Sequence, residues 1–389
     1  MRHPTKHLRL FLTSLIAAGW LAVIAAPAAV MAGQHSTAGL ARAIAAQEFY
    51  TNDLMAIPGV VGTAVGLGAN GEAVVKIYTA AGGIAGLPGT LDGVGVRIEV
   101  TGRFFALHHK DGHDKGPGNG NGDEVDPTAK FDRPVPIGVS SGTLASVVVA
   151  NGFVSCSTGT LGARLTDGAN PVPNVYALSN NHVYALENGN EVDVAVIGAS
   201  IVQPGPVDTD PVCTGNLPED TIGTLTAYVE IEFSTTANNK VDAAIASTTT
   251  GDVGTGTPSD GYGEPKNAIL VCGDCLGVNV QKYGRTSGLT KGTISGIIAT
   301  VNIGYSSGTA RFVDQIVVSG KKGGFIKSGD SGSLLVVDGG GDDLKPVGLL
   351  YAGSQGGKTA LANRIDLVLD LLEDKLGPPS VTLTVDGTP

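Results

Sequence analysis

Glycine is the feature that most limits the folds open to this chain. The sequence has 58 glycines among 389 residues, while aromatic residues make up only 5%. Glycine favours tight turns and weakens helix interiors. From Pro134 onward, short runs rich in Val, Ile and Thr recur between clusters of Gly, Asn, Asp and Pro, at 146–154, 192–202, 222–233, 269–271, 278–283, 293–303, 312–318 and 333–337. This pattern predicts a mainly β barrel or sandwich.

The end of the chain departs from the strand pattern. Apolar residues recur at helical spacing over 365–376, and the Gly-Pro-Pro sequence at 377–379 stops the pattern. We therefore predict one C-terminal helix that closes the domain at 134–376, followed by a tail at 377–389.

The first 32 residues are typical of a secretory signal peptide. Arg2, Lys6 and Arg9 make a basic start, 10–26 is an apolar run, and Val30-Met31-Ala32 offers small residues for cleavage. We expect the protein to be secreted, either outside the cell or into the periplasm. The alternative is an uncleaved anchor, and a membrane is an expected partner only in that case.

Residues 38–107 predict a small α+β domain. A helix is expected over 38–56, and two strands joined by an Asn-Gly hairpin turn over 60–78. A third strand is expected at 94–101. A pro-domain role and an independent binding or folding module are both open for this segment, so it is a candidate inhibitor or folding aid for the rest of the chain.

The segment 108–133 is predicted to be a flexible, solvated linker. It is rich in Gly, Asp, Asn, Lys and Pro and has no apolar periodicity. His108, His109 and His113 lie near several aspartates, but they lack the fixed spacing of a metal site. We predict no metal and no other cofactor.

The four cysteines suit structural disulfides in an exported protein. Their number is even and they lie outside the candidate catalytic motifs. Of the three possible connectivities, we favour Cys156–Cys213 with Cys272–Cys275. The alternative, in which Cys272 and Cys275 form half a zinc site, lacks a second Cys-x-x-Cys pair.

The net charge of −11 bears on the choice of partner. Nucleic-acid binding relies on clustered Lys and Arg, and no such cluster is visible in the sequence. We therefore expect no nucleic-acid partner.

A single histidine, His182, follows residue 113, and it precedes a Gly-Asp-Ser-Gly-Ser stretch at 329–333. A serine nucleophile needs a base, usually histidine, and that histidine needs a carboxylate to orient it. Val241-Asp242-Ala-Ala-Ile-Ala sets a carboxylate against an apolar run. His182, Asp242 and Ser331 thus meet the requirements of a catalytic triad. For each residue taken alone, a structural role in a loop or at a strand edge remains the alternative.

These motifs, in this order, resemble those of the chymotrypsin-like (trypsin-like) serine peptidases, in particular the bacterial streptogrisin-like and alpha-lytic-like branch. Leu178-Ser-Asn-Asn-His182 is similar to the histidine motif, and Gly329-Asp-Ser331-Gly-Ser to the nucleophile motif. Gly284-Arg285-Thr-Ser-Gly288 looks like the branch's Gly-Arg-Thr-Thr-Gly. Over 134–376 the resemblance implies two packed six-stranded β-barrels with the triad between them. The half-cystines that often flank the family's catalytic histidine and serine are absent here.

The resemblance implies roles for further residues. The backbone N–H groups of Gly329 and Ser331 would form the oxyanion hole, and Arg285 would pair with Asp330 to hold the loop. For Arg285 an exposed turn cation is the alternative.

By position, the substrate pocket is expected to contain Phe325 and Ile326, and Tyr351, Ala352 and Gly353 resemble the strand that pairs with the substrate. Because none of these residues is acidic, we predict a small or medium apolar residue at the cleavage position rather than Lys or Arg.

The sequence therefore predicts a secreted serine endopeptidase that acts on protein or peptide substrates through an acyl-enzyme intermediate. Two alternatives share the fold. One is a secreted binding protein that has lost catalysis, and the other is an esterase, since the same acyl-transfer chemistry cleaves esters.

Overall fold

Short β-strands make up most of the regular structure of the protein. The computed structural model describes residues 36–107, 109–110, 125–150, 153–168, 173–190, 196–214, 218–321, 324–377 and 381–389. The helices are α1 (Thr37–Met55), α2 (Asn181–Tyr184) and α3 (Ile365–Leu376). The strands are β1 (Val60–Leu67), β2 (Ala73–Thr79), β3 (Thr90–Leu91), β4 (Val94–Val100), β5 (Phe104–Ala106), β6 (His109–Lys110), β7 (Ser140–Thr143), β8 (Val148–Ala150), β9 (Phe153–Ser155), β10 (Ser157–Thr160), β11 (Ala163–Thr166), β12 (Val175–Ser179), β13 (Ser200–Val202), β14 (Thr221–Tyr228), β15 (Ala244–Thr248), β16 (Asn279–Gly284), β17 (Gly288–Gly304), β18 (Thr309–Gly320), β19 (Leu334–Val337), β20 (Pro346–Ser354), β21 (Thr359–Arg364) and β22 (Thr384–Val385).

Two predicted segments fall mainly outside this description. The predicted signal peptide at 1–32 lies outside the described residues, and so does 111–124 of the predicted linker. Within the described part of the chain, no helix is long and apolar enough to cross a membrane.

Six strands in the second half of the chain close into a barrel. Their order is β16, β19, β20, β21, β18 and β17, and β17 returns to pair with β16. Alternate side chains of these strands point inward, and those of Val280, Ile294 and Val318 are buried in one apolar cluster. This second barrel carries the nucleophile motif in the loop before β19.

The first barrel is built from the strands between 140 and 248. Its order is β11, β12, β15, β14, β13, β7 and β10. β10 and β11 follow each other in the chain, with only Leu161 and Gly162 between them. When they are counted as one bent strand, six strands close on themselves. The predicted mainly β fold with two six-stranded barrels is confirmed.

The N-terminal segment contains the predicted helix and hairpin. The side chain of Ser36 caps α1 by accepting a hydrogen bond from the Gly39 N–H at 3.1 Å. β1 and β2 are joined by a turn in which Gly71 has φ +82°, a conformation that favours glycine. β4 lies parallel to β2, and β1 pairs antiparallel with β17 at Gly62 and Val301. The N-terminal strands therefore extend the sheet of the second barrel.

The described end of the predicted linker is held against the first barrel. Lys130 forms an ion pair with Asp220 at 2.6 Å, and Arg133 forms one with Asp252 at 2.6 Å. Both contacts lie on the surface, where an ion pair stabilises little. They nevertheless fix the path by which the chain enters the first barrel.

The predicted C-terminal helix is present as α3. Ile365, Val368, Leu369 and Leu372 are buried in a cluster that contains residues of both barrels. Gly377 follows the helix with φ +77°. The run at 269–271, in contrast, is not a strand, although it was predicted as one; it is an irregular segment whose Leu270 N–H donates to the Pro346 carbonyl.

Both favoured disulfides are present, Cys156–Cys213 and Cys272–Cys275. The first joins residues that are 57 positions apart, whereas the second spans three. A cross-link over a longer loop removes more conformational entropy from the unfolded chain. Cys156–Cys213 is therefore expected to stabilise the fold more than Cys272–Cys275 does.

We expect Cys156→Ser/Cys213→Ser to lower the free energy of unfolding by about 4 kcal/mol, which is the loop-closure value for 57 residues. Urea denaturation followed by circular dichroism measures this loss. The matched control, Cys272→Ser/Cys275→Ser, should lose clearly less because its loop is short. Equal losses in the two variants would contradict the entropic explanation.

Candidate active site

His182 and Asp242 form a buried pair. β12 leads into α2, which carries His182, and Asp242 lies just before β15, the strand that pairs with β12. His182 Nδ1 is 2.6 Å from Asp242 Oδ2, and the His182 N–H donates to Asp242 Oδ1 at 3.1 Å. Both side chains are fully buried. A carboxylate at this position orients the ring and keeps the proton on Nδ1, which leaves Nε2 as the basic nitrogen.

The second barrel holds Asp242 from the other side. The Tyr305 hydroxyl donates to Asp242 Oδ2 at 2.9 Å, and the Asp242 N–H donates to Asn363 Oδ1 at 3.0 Å. Asn363 is in turn fixed by a bond from its amide to Gln315 Oε1 at 2.8 Å. Burial, with a further contribution from Asp242, raises the pKa of Tyr305 well above its ordinary value, so the phenol remains a donor. These contacts fix the carboxylate without adding charge.

Ser331 lies in a turn between two glycines with positive φ. Gly329 has φ +94° and Gly332 has φ +95°. A Cβ on Gly332 would lie 2.2 Å from the Thr160 carbonyl oxygen, so only glycine fits there. The Ser331 side chain is buried, and its hydroxyl donates to the Tyr351 carbonyl at 3.1 Å.

The turn and α2 meet at Gly159 in β10. The Thr160 N–H donates to the Ser331 carbonyl at 2.8 Å. A Cβ on Gly159 would lie 2.6 Å from a methyl of Val183, the neighbour of His182, and 2.9 Å from the Ser331 carbonyl oxygen. The serine turn therefore lies next to the helix that carries His182.

A buried ion pair anchors the residue before the serine. Lys282 Nζ is 3.1 Å from Asp330 Oδ2, and neither side chain is exposed. Asp330 also accepts hydrogen bonds from the Ser287 hydroxyl and from the N–H groups of Lys327, Thr286 and Ser287. Burial alone would raise the pKa of Asp330, but attraction by Lys282 and these bonds lower it below its ordinary value. For Lys282, burial lowers the pKa, and the pair offsets this only in part.

The predicted partnership of Arg285 with Asp330 is wrong. Arg285 is buried and pairs with Asp208 of the first barrel, with Nε 2.8 Å from Asp208 Oδ2 and a second contact from Nη2 to Oδ1. Asp330 already has Lys282 as its counter-ion. Arg285 still borders the turn, because a Cβ on Gly329 would lie 3.0 Å from Arg285 Cδ. Arg285 therefore connects the turn to the first barrel through Asp208.

We expect Asp330→Asn to lower the free energy of unfolding by about 3–5 kcal/mol near pH 7, because Lys282 would remain buried without its counter-ion. The double variant Lys282→Met/Asp330→Asn should lose much less, since no charge is left unpaired. Urea denaturation of the wild type, of Asp330→Asn and Lys282→Met alone, and of the double variant gives the coupling energy. Additive losses would contradict the pairing.

The same pair predicts a pH dependence of stability. The pKa of Asp330 is lower in the folded protein than the unfolded value of about 3.9. Its contribution is therefore present above about pH 4 and is lost as the pH falls through the folded-state pKa. We expect wild-type stability to fall more steeply than that of Asp330→Asn between about pH 5 and pH 2.

Gly353, one of the predicted pocket residues, lies against another, Ile326. Phe325 and Ile326 are buried, and a Cβ on Gly353 would lie 2.7 Å from a methyl of Ile326 and 3.1 Å from Leu107 Cδ1. Gly353 is therefore in contact with Leu107 of the N-terminal segment.

Residues 104–107 of the chain run past this pocket. β5 pairs antiparallel with β20, with Phe105 opposite Gly353 and Ala106 opposite Ala352. The next residue, Leu107, donates its N–H to the Tyr351 carbonyl at 3.4 Å, and its own carbonyl accepts the Gly329 N–H at 2.6 Å. Beyond it, β6 pairs antiparallel with β10 of the first barrel.

Several residues of this site were missed from the sequence. Lys282, Asp208, Tyr305 and Asn363 act through partners that are distant in the chain, and no local motif identifies them. The Leu107 contact was missed for a different reason, since Leu107 was placed at the end of a separate N-terminal domain with no predicted contact to the pocket. A short apolar stretch before a polar linker, Phe-Phe-Ala-Leu at 104–107, was the available signal.

One family model matches the part of the chain that contains the second barrel. A family model described as the Nal1 C-terminal domain matches residues 266–367. The match contains Ser331 but neither His182 nor Asp242. No curated protein matches the chain.

Solved structures of bacterial proteases also match part of this chain. Thermobifida fusca protease A is 14% identical over 64% of this chain and 98% of its own, with a TM-score of 0.39. Cellulomonas bogoriensis chymotrypsin is 17% identical over 66% of this chain and 100% of its own, also with a TM-score of 0.39. Nocardiopsis protease is 15% identical over 64% of this chain and 97% of its own, again with a TM-score of 0.39. Similarity at this level does not identify an activity, so an activity has to follow from the residues of this chain.

Proposed function

We propose that the protein is a secreted serine endopeptidase that uses His182, Asp242 and Ser331 as its catalytic residues. The observation that carries this proposal is the buried hydrogen bond of 2.6 Å between His182 Nδ1 and Asp242 Oδ2. It holds the only imidazole after residue 113 in the tautomer that a serine nucleophile requires. The glycine-flanked Ser331 turn, packed beside α2, supplies that nucleophile.

The reaction follows the general chemistry of acyl transfer. Ser331 Oγ attacks the carbonyl carbon of a peptide bond while His182 Nε2 takes the hydroxyl proton. Asp242 stabilises the imidazolium that results. The same imidazolium then protonates the departing amine, and a water molecule hydrolyses the acyl-enzyme by the reverse sequence.

The oxyanion of the tetrahedral intermediate would be stabilised by backbone donors. The Gly329 N–H, which donates to a carbonyl at 2.6 Å in this structure, supports Gly329 as one of these donors. Ser331 N–H is the second proposed donor. Both belong to a turn whose backbone is fixed by the buried Lys282–Asp330 pair, so the donors are held in place before the reaction.

Secretion is part of the proposal. Both cysteine pairs are joined as disulfides, which persist in oxidising compartments. The predicted signal peptide at 1–32 gives a route to such a compartment. The N-terminal sequence of protein recovered from culture medium or periplasm tests this part.

A fluorophosphonate probe tests the chemistry directly. It should label the wild-type chain, and peptide mapping should locate the adduct at Ser331. His182→Ala should lose the label because the hydroxyl is no longer activated. The matched control is Ser259→Ala, which removes an exposed serine of the segment between the two barrels and should be labelled like wild type.

The wild-type chain is tested both intact and after a lysine-specific metallopeptidase has cut the predicted linker. Absence of labelling in both forms would favour a binding protein without catalysis. Labelling accompanied by ester turnover but no peptide turnover would favour an esterase.

A further inference from the structure

The path of residues 104–107 has the form of a bound peptide substrate. β5 adds an antiparallel strand to β20 of the second barrel and ends at Ala106. Antiparallel addition to a sheet edge is a general way in which proteins bind extended peptides, with main-chain bonds giving affinity and alternate side chains giving specificity. The Leu107 N–H continues this pairing by donating to the Tyr351 carbonyl at 3.4 Å.

The carbonyl of Leu107 occupies the position of a reacting carbonyl. It accepts the N–H of Gly329, the proposed oxyanion donor, at 2.6 Å. The carbonyl oxygen of Tyr351 accepts both the Leu107 N–H and the Ser331 hydroxyl, the latter at 3.1 Å. The Leu107 main chain and the proposed nucleophile are therefore held by the same backbone group.

The side chain of Leu107 lies in the predicted pocket. It is half-buried, packs on the apolar cluster that contains Phe325 and Ile326, and lies close to Gly353. Phe104, three residues earlier, is buried among Tyr78, Phe312 and other apolar side chains. The segment thus places one apolar residue at the carbonyl and a second, larger one further along the strand.

The chain continues past the carbonyl onto the other barrel. β6 pairs with β10 at His109 opposite Thr158 and at Lys110 opposite Ser157. β10 then runs to Thr160, whose N–H holds the Ser331 carbonyl. Backbone pairing thus holds the described chain on both sides of Leu107, one side on each barrel, and the Leu107 carbonyl lies at the Ser331 turn.

We propose that this chain cuts itself at the peptide bond that follows Leu107, and that 104–107 is the first substrate of the site. This inference rests on the proposed peptidase function. Ser331 Oγ forms a bond to the Leu107 carbonyl carbon and passes its proton to His182. The bond from that carbon to the next nitrogen breaks, and the nitrogen takes the proton from His182. Water then releases Leu107 as a free carboxylate and restores Ser331.

The contacts also define the class of peptide that the site accepts. The cleavage position takes a medium apolar residue, and the strand before it is apolar, as in Phe-Phe-Ala-Leu at 104–107. We expect the anilide of Phe-Phe-Ala-Leu to be hydrolysed at least about tenfold faster than that of Phe-Phe-Ala-Arg, because an arginine would bury its charge against Ile326 without a partner. Equal rates would overturn this assignment.

The mass of the purified full chain tests the cut. Wild type is expected as two fragments, with the second beginning at residue 108, whereas Ser331→Ala is expected intact. Because the segment belongs to the same molecule, the cut should follow first-order kinetics that do not change with protein concentration. Added wild type should leave Ser331→Ala intact on the same timescale. An uncut wild type, or equally fast cutting of Ser331→Ala, would overturn the proposal.

A variant of Leu107 separates this proposal from the proposed function. Leu107→Asp places a charge in the apolar pocket and should slow the cut by at least about a hundredfold, a loss of about 3 kcal/mol in transition-state binding. Fluorophosphonate labelling of Ser331 should persist in this variant, which also shows that it is folded. The matched control, Arg103→Ala, removes an exposed side chain and should be cut like wild type. Labelled but uncut wild type refutes only the self-cleavage, whereas unlabelled and uncut protein refutes the peptidase function itself.

Discussion

Ser331→Ala is expected to lower kcat for peptide hydrolysis by about 10⁴ to 10⁶-fold, which is the loss that follows removal of a serine nucleophile acting with a histidine. The hydroxyl is the only group of the proposed triad that forms a bond to the substrate. The residual rate comes from binding and from the oxyanion donors, which the substitution leaves in place. An alanine also fits the buried turn, since it only removes an oxygen.

The measurement is steady-state hydrolysis of apolar peptide anilides. Wild type and variant are compared after the predicted linker has been cut in both by a lysine-specific metallopeptidase, so that a difference in self-cleavage does not enter the rate. Ser259→Ala serves as the control and should keep the wild-type kcat. Retention of more than about a hundredth of the wild-type kcat by Ser331→Ala would be incompatible with a nucleophilic role.

Asp242→Asn is expected to lower kcat by about 10⁴-fold. Asp242 accepts hydrogen bonds at both oxygens, from Nδ1 and the N–H of His182 and from the Tyr305 hydroxyl. An asparagine must direct its NH₂ group at one of these donors, and it no longer supplies the negative charge that stabilises the imidazolium. Both effects raise the energy of the transition state.

Tyr305→Phe is the matched comparison for this variant. It removes one donor to Asp242 Oδ2 but leaves the charge and the bond to His182. We expect a loss of less than about tenfold in kcat, in line with one hydrogen bond of about 1 kcal/mol. If Asp242→Asn and Tyr305→Phe had similar rates, the carboxylate would not be acting on the histidine.

Local patterns were sufficient to predict much of the fold. The run at 293–303, rich in Val, Ile and Thr, became part of β17, because such residues favour strands. The helical spacing over 365–376 became α3, because that spacing puts the apolar residues on one face of a helix. His182, Asp242 and Ser331 were predicted from residue type and order alone. The pairing of β12 with β15 explains why two of them meet.

The two buried ion pairs could not be predicted from the sequence, because they depend on strand register and on burial. Lys282 was not singled out from the sequence, since charged side chains are seldom fully buried. The fold places Lys282 against Asp330, and it places Arg285 against Asp208, a residue 77 positions earlier. Arg285 was assigned to Asp330 by resemblance to the bacterial branch, and sequence order carries no information on which of the two acids it reaches.

The pairing of β1 with β17 determines what would remain after a cut at Leu107. Four residue pairs, Gly62 with Val301 among them, join the two strands, and Leu40, Ala43 and Val65 lie in the same apolar cluster as second-barrel residues such as Ile294. Dissociation of the N-terminal fragment would uncover a strand edge and part of this core, which is unfavourable in water. The mature protein would therefore be a non-covalent heterodimer whose two fragments copurify and separate only under denaturing conditions.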